Sequence, residues 1–140
     1  PFLVASSIQA IMAQRLIRVL CPKCAEPDPD PDGRLMQLVG IDPSENDGRI
    51  LKAVGCGACN GLGYKGRKAI FEMLQMTTEL REMAFARATV AQLRQSAIRT
   101  GMRTLLQDGK VKILNGVTTM EEISRFAQAE VLVPSNIDSE

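Results

Sequence analysis

The sequence contains no histidine and no tryptophan, and it has only one tyrosine and four phenylalanines among its 140 residues. The absence of histidine excludes catalytic zinc sites that use imidazole ligands. With so few aromatic residues, the hydrophobic core must rest on Leu, Ile, Val, Met and Ala side chains. The apolar fraction of 45% is ordinary for a globular protein, and the length suits one modest domain or a compact pair of subdomains.

An excess of charge of one sign is also lacking, because 17 basic and 16 acidic residues leave a net charge of +1. Binding of nucleic acid calls for a concentrated basic face, and this composition does not favour one. No apolar run approaches the roughly 20 residues that span a bilayer, and Arg15 and Arg18 interrupt the apolar region near the N-terminus. We expect no transmembrane segment and no signal peptide. A start at Pro1 without an initiator Met predicts the middle of a longer protein.

A nucleotide-phosphate loop is missing as well. The Gly-rich stretch from Asn60 to Arg67 lacks the Gly-Lys-Ser/Thr ending of a P-loop, and the Gly109-Lys110 pair is followed by Val111. Phosphoryl transfer needs a phosphate cradle, so we expect the chain alone to hydrolyse no ATP. No catalytic or cofactor-binding residue is assigned. The glycines after Asn60 predict a tightly wound structural loop.

Four cysteines are present, in two C-x2-C pairs. The pairs are Cys21-Pro22-Lys23-Cys24 and Cys56-Gly57-Ala58-Cys59. Each pair places two sulfurs on one side of a tight turn, and two facing turns make a tetrahedral cage that suits Zn²⁺. Pro22 is expected to stiffen the first turn, and Gly57 to let the second turn form without a Cβ clash. The prediction is a structural zinc site with no open position for water. Its ligands are Cys21, Cys24, Cys56 and Cys59.

Other interpretations of the cysteines remain open at this point. Two disulfides are the strongest alternative, although nothing marks the chain as secreted, and a rubredoxin-like iron site or four free thiols are the others. The run from Cys56 to Gly63 fits C-x-x-C-x-G-x-G, the repeat of J-domain chaperone zinc modules, but Cys24 is not followed by such a repeat. A zinc ribbon that binds nucleic acid predicts basic and aromatic residues near the cysteines, whereas the loop between the pairs is acidic.

Residues 5–20 show helical periodicity. Pro22 would end such a helix near Cys21, because the residue before proline avoids the α region. The segment is therefore predicted to be an amphipathic helix with Ser6 or Ser7 as its N-cap. The apolar residues at helical spacing are Ile8, Met12, Leu16 and Val19.

The rest of the chain predicts a mixed fold with more helix than strand. Residues 25–33 alternate proline with acid and are predicted to be extended, hydrated and unable to pack. A short helix is expected over 34–39, and short strands over 50–54 and 68–74. The predicted N-caps of the later helices are Thr78, Thr89, Thr104 and Thr118, and the predicted C-terminal glycines are Gly40 and Gly116. The predicted fold class is α+β, mostly helical, with a small tetracysteine zinc-binding module between an N-terminal helix and a C-terminal helical bundle.

Four runs of the sequence stand out in order: Ala13 to Cys24, Gly63 to Arg67 continued by Ile70 to Glu72, Leu105 to Lys112, and Gly116 to Ile123. In the same order, these runs resemble the C-terminal part of the secretion and pilus assembly ATPases. These are the hexameric motors of type II secretion and type IV pilus biogenesis. The resemblance as a whole extends over about residues 1–127. Ala69, where many members have glycine, and the Gly61-Leu62-Gly63 turn depart from the family pattern, and neither is a cysteine.

The resemblance implies a parent protein whose RecA-like motor domain lies before Pro1 and binds ATP and Mg²⁺. It implies a cytoplasmic homo-hexamer, peripheral at the inner membrane, whose partners are inner-membrane secretion or pilus platform proteins; nucleic acid is not expected as a partner. The implied domains are a C-terminal motor helix (1–20), the zinc module (21–66), a strand with a helical subdomain (67–128) and a flexible tail (129–140). Our hypothesis is that the zinc module is a rigid joint between the motor and the C-terminal helices.

Overall fold

The structure, a computed structural model, describes residues 2–131. Within these residues the chain forms six α-helices and two two-stranded sheets, which confirms the α+β class. None of the described helices is long and apolar enough to cross a membrane. The predicted tail falls mostly outside the described residues, and the predicted domain boundaries stay a prediction. The elements are α1 (Phe2–Ser7), β1 (Ala10–Leu20), β2 (Glu26–Pro27), α2 (Gly33–Val39), β3 (Leu51–Lys52), β4 (Tyr64–Gln75), α3 (Thr78–Phe85), α4 (Val90–Arg99), α5 (Leu105–Leu114) and α6 (Met120–Val131).

The segment before the first cysteine pair is largely a strand, so the predicted helix over residues 5–20 is wrong. β1 forms a two-stranded sheet with β4. Two hydrogen bonds of 2.9 Å flank the pair, from the Met76 N–H to the Gln9 carbonyl and from the Cys21 N–H to the Gly63 carbonyl. They show that the strands run antiparallel.

The apolar pattern misled the prediction because its members do not share a buried face. Met12 and Leu16 are 61% and 58% exposed, whereas Ile17, which lies off the predicted stripe, is fully buried. The segment also contains the β-branched residues Ile11, Ile17 and Val19, which suit a pleated surface. Backbone hydrogen bonds of β1 are made to β4, which lies far away in the sequence. Local periodicity could not reveal it.

The chain divides into two compact units, and the division falls within both long strands. Unit 1 comprises the residues up to Arg15 together with Phe71–Leu105. In it, α3 packs against α1 and α4, and Leu80 lies in its core. The Thr77 hydroxyl accepts the Leu80 N–H, so the N-cap of α3 lies one residue before the predicted Thr78.

The predicted capping box at the start of α4, Thr89 with Gln92, is confirmed. The Thr89 hydroxyl accepts the Gln92 N–H at 3.3 Å, and the Gln92 side chain accepts the Thr89 N–H at 2.9 Å. The two residues satisfy each other's backbone donors, which fixes where the helix begins.

Unit 2 comprises Leu16–Ile70 together with the residues from Leu106 onward. In it, α2 packs against α6, with Met36 and Val39 buried. Gly40 ends α2 in the left-handed conformation (φ 73°), as predicted. The segment 25–33 is extended at its start, where Glu26 and Pro27 are exposed as predicted, and its last residue, Gly33, begins α2. The strand pairing at its start was not predicted. β2 and β3 are antiparallel, with Glu26 opposite Lys52 and Pro27 opposite Leu51.

The C-terminal helices of unit 2 form as predicted, with one shift. The Val117 N–H bonds to the Lys112 carbonyl at 2.9 Å, and Gly116 has φ 66°, so Gly116 ends α5. The N-cap hydroxyl of α6 belongs to Thr119 and accepts the Glu122 N–H at 3.3 Å, so the predicted cap, Thr118, is off by one residue.

Candidate metal centre

The structure brings the four cysteines that the sequence singled out into one cluster. Their sulfur atoms all lie within 4.8 Å of one another, and the group can hold a metal ion. The Sγ–Sγ distances are 3.9 Å for Cys21–Cys56 and 3.8 Å for both Cys24–Cys59 and Cys56–Cys59. A disulfide bond is only about 2.05 Å long, so all four thiols are free.

The cluster lies where the two long strands meet the cysteine turns. Cys21 directly follows β1, and its N–H bonds to the carbonyl of Gly63, which directly precedes β4. In the second pair, Cys56 directly precedes a 3₁₀ turn, Gly57–Cys59, and Cys59 ends it; the Cys59 N–H bonds to the Cys56 carbonyl at 3.2 Å. The β2–β3 pairing closes the chain between the pairs. Backbone hydrogen bonds thus hold the two pairs face to face.

Backbone N–H groups point at two of the sulfurs. Cys24 Sγ accepts the Gly55 N–H at 3.3 Å, and Cys59 Sγ accepts the N–H groups of Cys56 and Gly63, each at 3.2 Å. Such donors orient metal-bound sulfurs and stabilise their negative charge. The sequence prediction named the cysteines and missed these donors, because a backbone N–H leaves no residue-type signal.

Two glycines near the cluster have no room for a side chain. A Cβ at Gly55 (φ 105°) would lie 2.5 Å from the Gly61 carbonyl oxygen, and one at Gly63 (φ 76°) would lie 2.6 Å from the Ala53 Cβ. The prediction for Gly57 was wrong, because nothing lies within 4 Å of its Cβ position and its φ is not left-handed. The glycines that the site requires are therefore the two whose N–H groups face sulfur.

The surroundings move the pKa values of two thiols in opposite directions. Burial raises the pKa of Cys24 to about 12. The backbone N–H of Cys56 contributes most to lowering the pKa of Cys59 to about 6, and the N–H of Gly63 adds to it. Cys59 is thus better prepared than Cys24 to be a thiolate, and a bound cation would favour ionisation of Cys24 as well.

A polar cluster in the same unit was not predicted. Glu122, only 5% exposed, accepts the Arg18 backbone N–H at 2.9 Å and two guanidinium N–H groups at 2.9 and 2.7 Å. The Arg18 guanidinium also lies 4.2 Å from the centre of the Tyr64 ring. The Tyr64 hydroxyl in turn is 2.8 Å from the Thr119 hydroxyl. Since Arg18 and Glu122 are 104 residues apart, no local sequence pattern links them.

Comparison with known proteins gives consistent matches. The family model described as "Type II/IV secretion system protein" matches residues 1–125. The chain is 40% identical over 124 residues to the type IV pilus assembly ATPase PilB of Myxococcus xanthus, covering 88% of this chain and 22% of that protein. It is 38% identical over 130 residues to the type II secretion system protein E of Pseudomonas aeruginosa, covering 93% of this chain and 25% of that protein. It is 38% identical over 125 residues to the type IV pilus assembly ATPase PilB of Thermus thermophilus, covering 88% of this chain and 14% of that protein. The chain thus spans a quarter or less of each of these relatives.

Proposed function

Because this chain belongs to the type II/IV secretion system protein family, we propose that it is a metal-stabilised part of an ATPase that powers type II secretion or type IV pilus assembly. The observation that carries the metal part of the proposal is the cluster of four sulfurs within 4.8 Å of one another. The relatives' names carry the motor part, since they include both pilus assembly ATPases and secretion proteins.

The metal we propose is Zn²⁺, bound by Cys21, Cys24, Cys56 and Cys59. A regular tetrahedron with Zn–S bonds of about 2.3 Å has sulfur–sulfur edges of about 3.8 Å. Three of the sulfur–sulfur distances are 3.8 or 3.9 Å, so the donor set fits this ion. Four sulfur ligands leave no position for water or substrate, and the role we propose is therefore structural.

Elemental analysis of the purified chain tests the metal proposal. We expect one zinc per chain, with iron and disulfides absent by elemental analysis and mass spectrometry. Cys24→Ser should lower the zinc content and destabilise the segment between the cysteine pairs, because zinc–thiolate binding supplies folding free energy on the order of 10 kcal/mol. The matched control is Lys23→Ser, at an exposed position in the same turn, which should keep its zinc. Iron in place of zinc, or two disulfides, would refute the proposal.

In the parent protein, we propose, the remaining sequence supplies the sites for ATP and Mg²⁺ and assembles as a cytoplasmic homo-hexamer. Its partners would be inner-membrane platform proteins, with the motor peripheral at that membrane and nucleic acid playing no part. The chain alone should then show no ATPase activity above a buffer blank. Activity that a substitution within this chain abolishes would refute this division of labour.

The proposed purpose of the zinc module is to act as a rigid joint in the motor. The test is replacement of both Cys24 and Cys59 by Ser in the full-length protein, with Lys23→Ser as the control. We expect nucleotide binding to survive while secretion or piliation falls. Normal assembly, ATPase rate and secretion or piliation in the double variant would show that the joint is dispensable.

A further inference from the structure

The C-terminal hairpin of unit 2, which we define as residues 106–131, contacts the chain directly before the first cysteine pair. The Leu20 N–H donates to the Val117 carbonyl at 2.9 Å, and the fully buried Thr118 hydroxyl donates to the Arg18 carbonyl at 2.8 Å. Because Cys21 is the next residue after Leu20, these bonds fix the backbone that leads into the first cysteine turn.

The same hairpin contacts the chain directly after the second pair. The Gly63 N–H donates to Cys59 Sγ, and Tyr64 is the next residue in the chain. The Tyr64 hydroxyl is hydrogen-bonded to the Thr119 hydroxyl of the hairpin. Glu122 of the hairpin binds the Arg18 guanidinium, which lies over the Tyr64 ring. The end of β1 and the start of β4, which flank the cysteine cluster, are therefore both held against the N-terminus of α6.

The hairpin also contacts the chain between the two pairs. Lys110 Nζ lies 2.7 Å from a carboxylate oxygen of Glu45, and α2 packs against α6. The turn at Gly116 approaches β3 so closely that a Cβ there would lie 3.1 Å from Leu51 Cδ1. All three segments that position the four sulfurs thus rest on the hairpin.

We propose that docking of the C-terminal hairpin and binding of the metal are thermodynamically coupled. When the hairpin is docked, the segments before, between and after the cysteine pairs are already held, so less ordering is required when the ion binds. Coupling of this kind is reciprocal: the hairpin raises the affinity for the metal, and the metal holds the hairpin in place. The inference rests on the proposed metal site but not on the proposed ATPase activity of the parent protein.

The experiment is a Zn²⁺ affinity measurement on the 140-residue chain, by competition with a chromophoric chelator. Glu122→Gln removes the charge that binds Arg18 and touches no cysteine, and we expect it to weaken zinc binding about tenfold or more. Glu121→Gln, at the exposed neighbouring position, is the matched control and should bind zinc like the wild type. Tyr64→Phe removes only the hydroxyl that bonds to Thr119, and we expect a loss of about fivefold.

The outcomes separate the coupling from the metal site itself. A wild-type chain that takes up no stoichiometric zinc would overturn the proposed metal site and the coupling with it. A wild-type chain that binds one zinc, with the same affinity as Glu122→Gln and Tyr64→Phe, would overturn the coupling alone. If Glu122→Gln does not fold, as judged by circular dichroism with zinc present, Tyr64→Phe decides: a weaker affinity supports the coupling, and an unchanged one overturns it.

Discussion

Gly109 lies inside α5, where alanine would normally favour the helix by about 1 kcal/mol. A Cβ at this position would lie 2.7 Å from Cγ2 and 2.9 Å from Cδ1 of Ile123, which is fully buried in α6. Glycine at position 109 therefore allows α5 to approach Ile123 more closely than any residue with a Cβ would. Ile123 has little freedom to move, because its side chain is enclosed in the core.

Gly109→Ala should destabilise the chain by about 1–3 kcal/mol, since the strain of overpacking exceeds the gain in helix propensity. The measurement is urea unfolding with zinc at saturation. Gly33→Ala is the control, because nothing lies within 4 Å of its Cβ position at the start of α2, and it should stay within about 0.5 kcal/mol of wild type. Equal stability of both variants and the wild type would show that α5 and α6 tolerate a wider spacing.

The carboxyl group of Glu122 makes the stability of the folded state depend on pH. Burial raises the pKa of this carboxyl, but the hydrogen bonds from the Arg18 side chain and backbone outweigh burial and leave the pKa below its usual value. A group whose pKa is lower in the folded state stabilises that state above its unfolded pKa of about 4.3. This contribution is lost as the pH falls through the folded pKa.

Glu122→Gln should therefore cost about 1–3 kcal/mol at pH 7. This is less than the roughly 3–5 kcal/mol for breaking a fully buried pair, because the Arg18 side chain is 39% exposed and partly screened. The difference from wild type should shrink below about pH 4, as Glu122 becomes protonated. Unfolding measured from pH 3 to 8 tests this, and the readout is the difference between the two proteins, because acid also protonates their cysteines. A difference independent of pH would contradict the assignment.

At the scale of elements, threonine hydroxyls cap the start of three helices, and the sequence placed two of these caps wrongly: one residue late at α3 and one residue early at α6. Adjacent threonines explain the error: Thr77-Thr78 and Thr118-Thr119 each offer two hydroxyls at one helix start. Only the backbone conformation decides which of the two accepts the N–H group. At α3 this is Thr77, which has an extended backbone (φ −76°, ψ 166°).

Thr77→Ala should thus destabilise the chain by about 1 kcal/mol, whereas Thr78→Ala, at an exposed position inside the same helix, should be close to neutral. Urea unfolding of the two variants makes the comparison, and each is the other's control. The opposite order of stabilities would mean that α3 begins at the residue that the sequence suggested.

Elements defined by local signals could be predicted, and the element defined by a distant partner could not. The α4 capping box and the glycines that end α2 and α5 act within a few residues, so the sequence revealed them. β1 depends on hydrogen bonds to β4, and its apolar residues match a helical period by coincidence. The candidate metal site could be predicted from local signals, because each C-x2-C motif is recognisable within four residues. The Arg18–Glu122 pair could not be predicted, because its two residues are 104 positions apart in the sequence.

At the scale of the whole molecule, the long loop between the cysteine pairs is held by several contacts besides the proposed metal. Met36 and Ile50 of this loop are buried, the β2–β3 pairing joins its two ends, and the Lys110–Glu45 ion pair anchors its middle. Since loop closure costs grow only slowly with length, these contacts offset part of that cost. Metal loss should therefore loosen the loop and its anchors together.

Hydrogen exchange with and without a strong zinc chelator tests where that loosening ends. We expect amides of α2 and of α6 up to residue 127 to lose protection together, because α2 packs on α6 within unit 2. Amides of α3 and α4 should keep theirs, because these helices pack with each other inside unit 1. Protection lost only between residues 20 and 66 would mean that α6 does not depend on the metal. Equal loss in α3, α4 and α6 would mean that the two units unfold as one, and that the cysteine cluster stabilises the entire described chain.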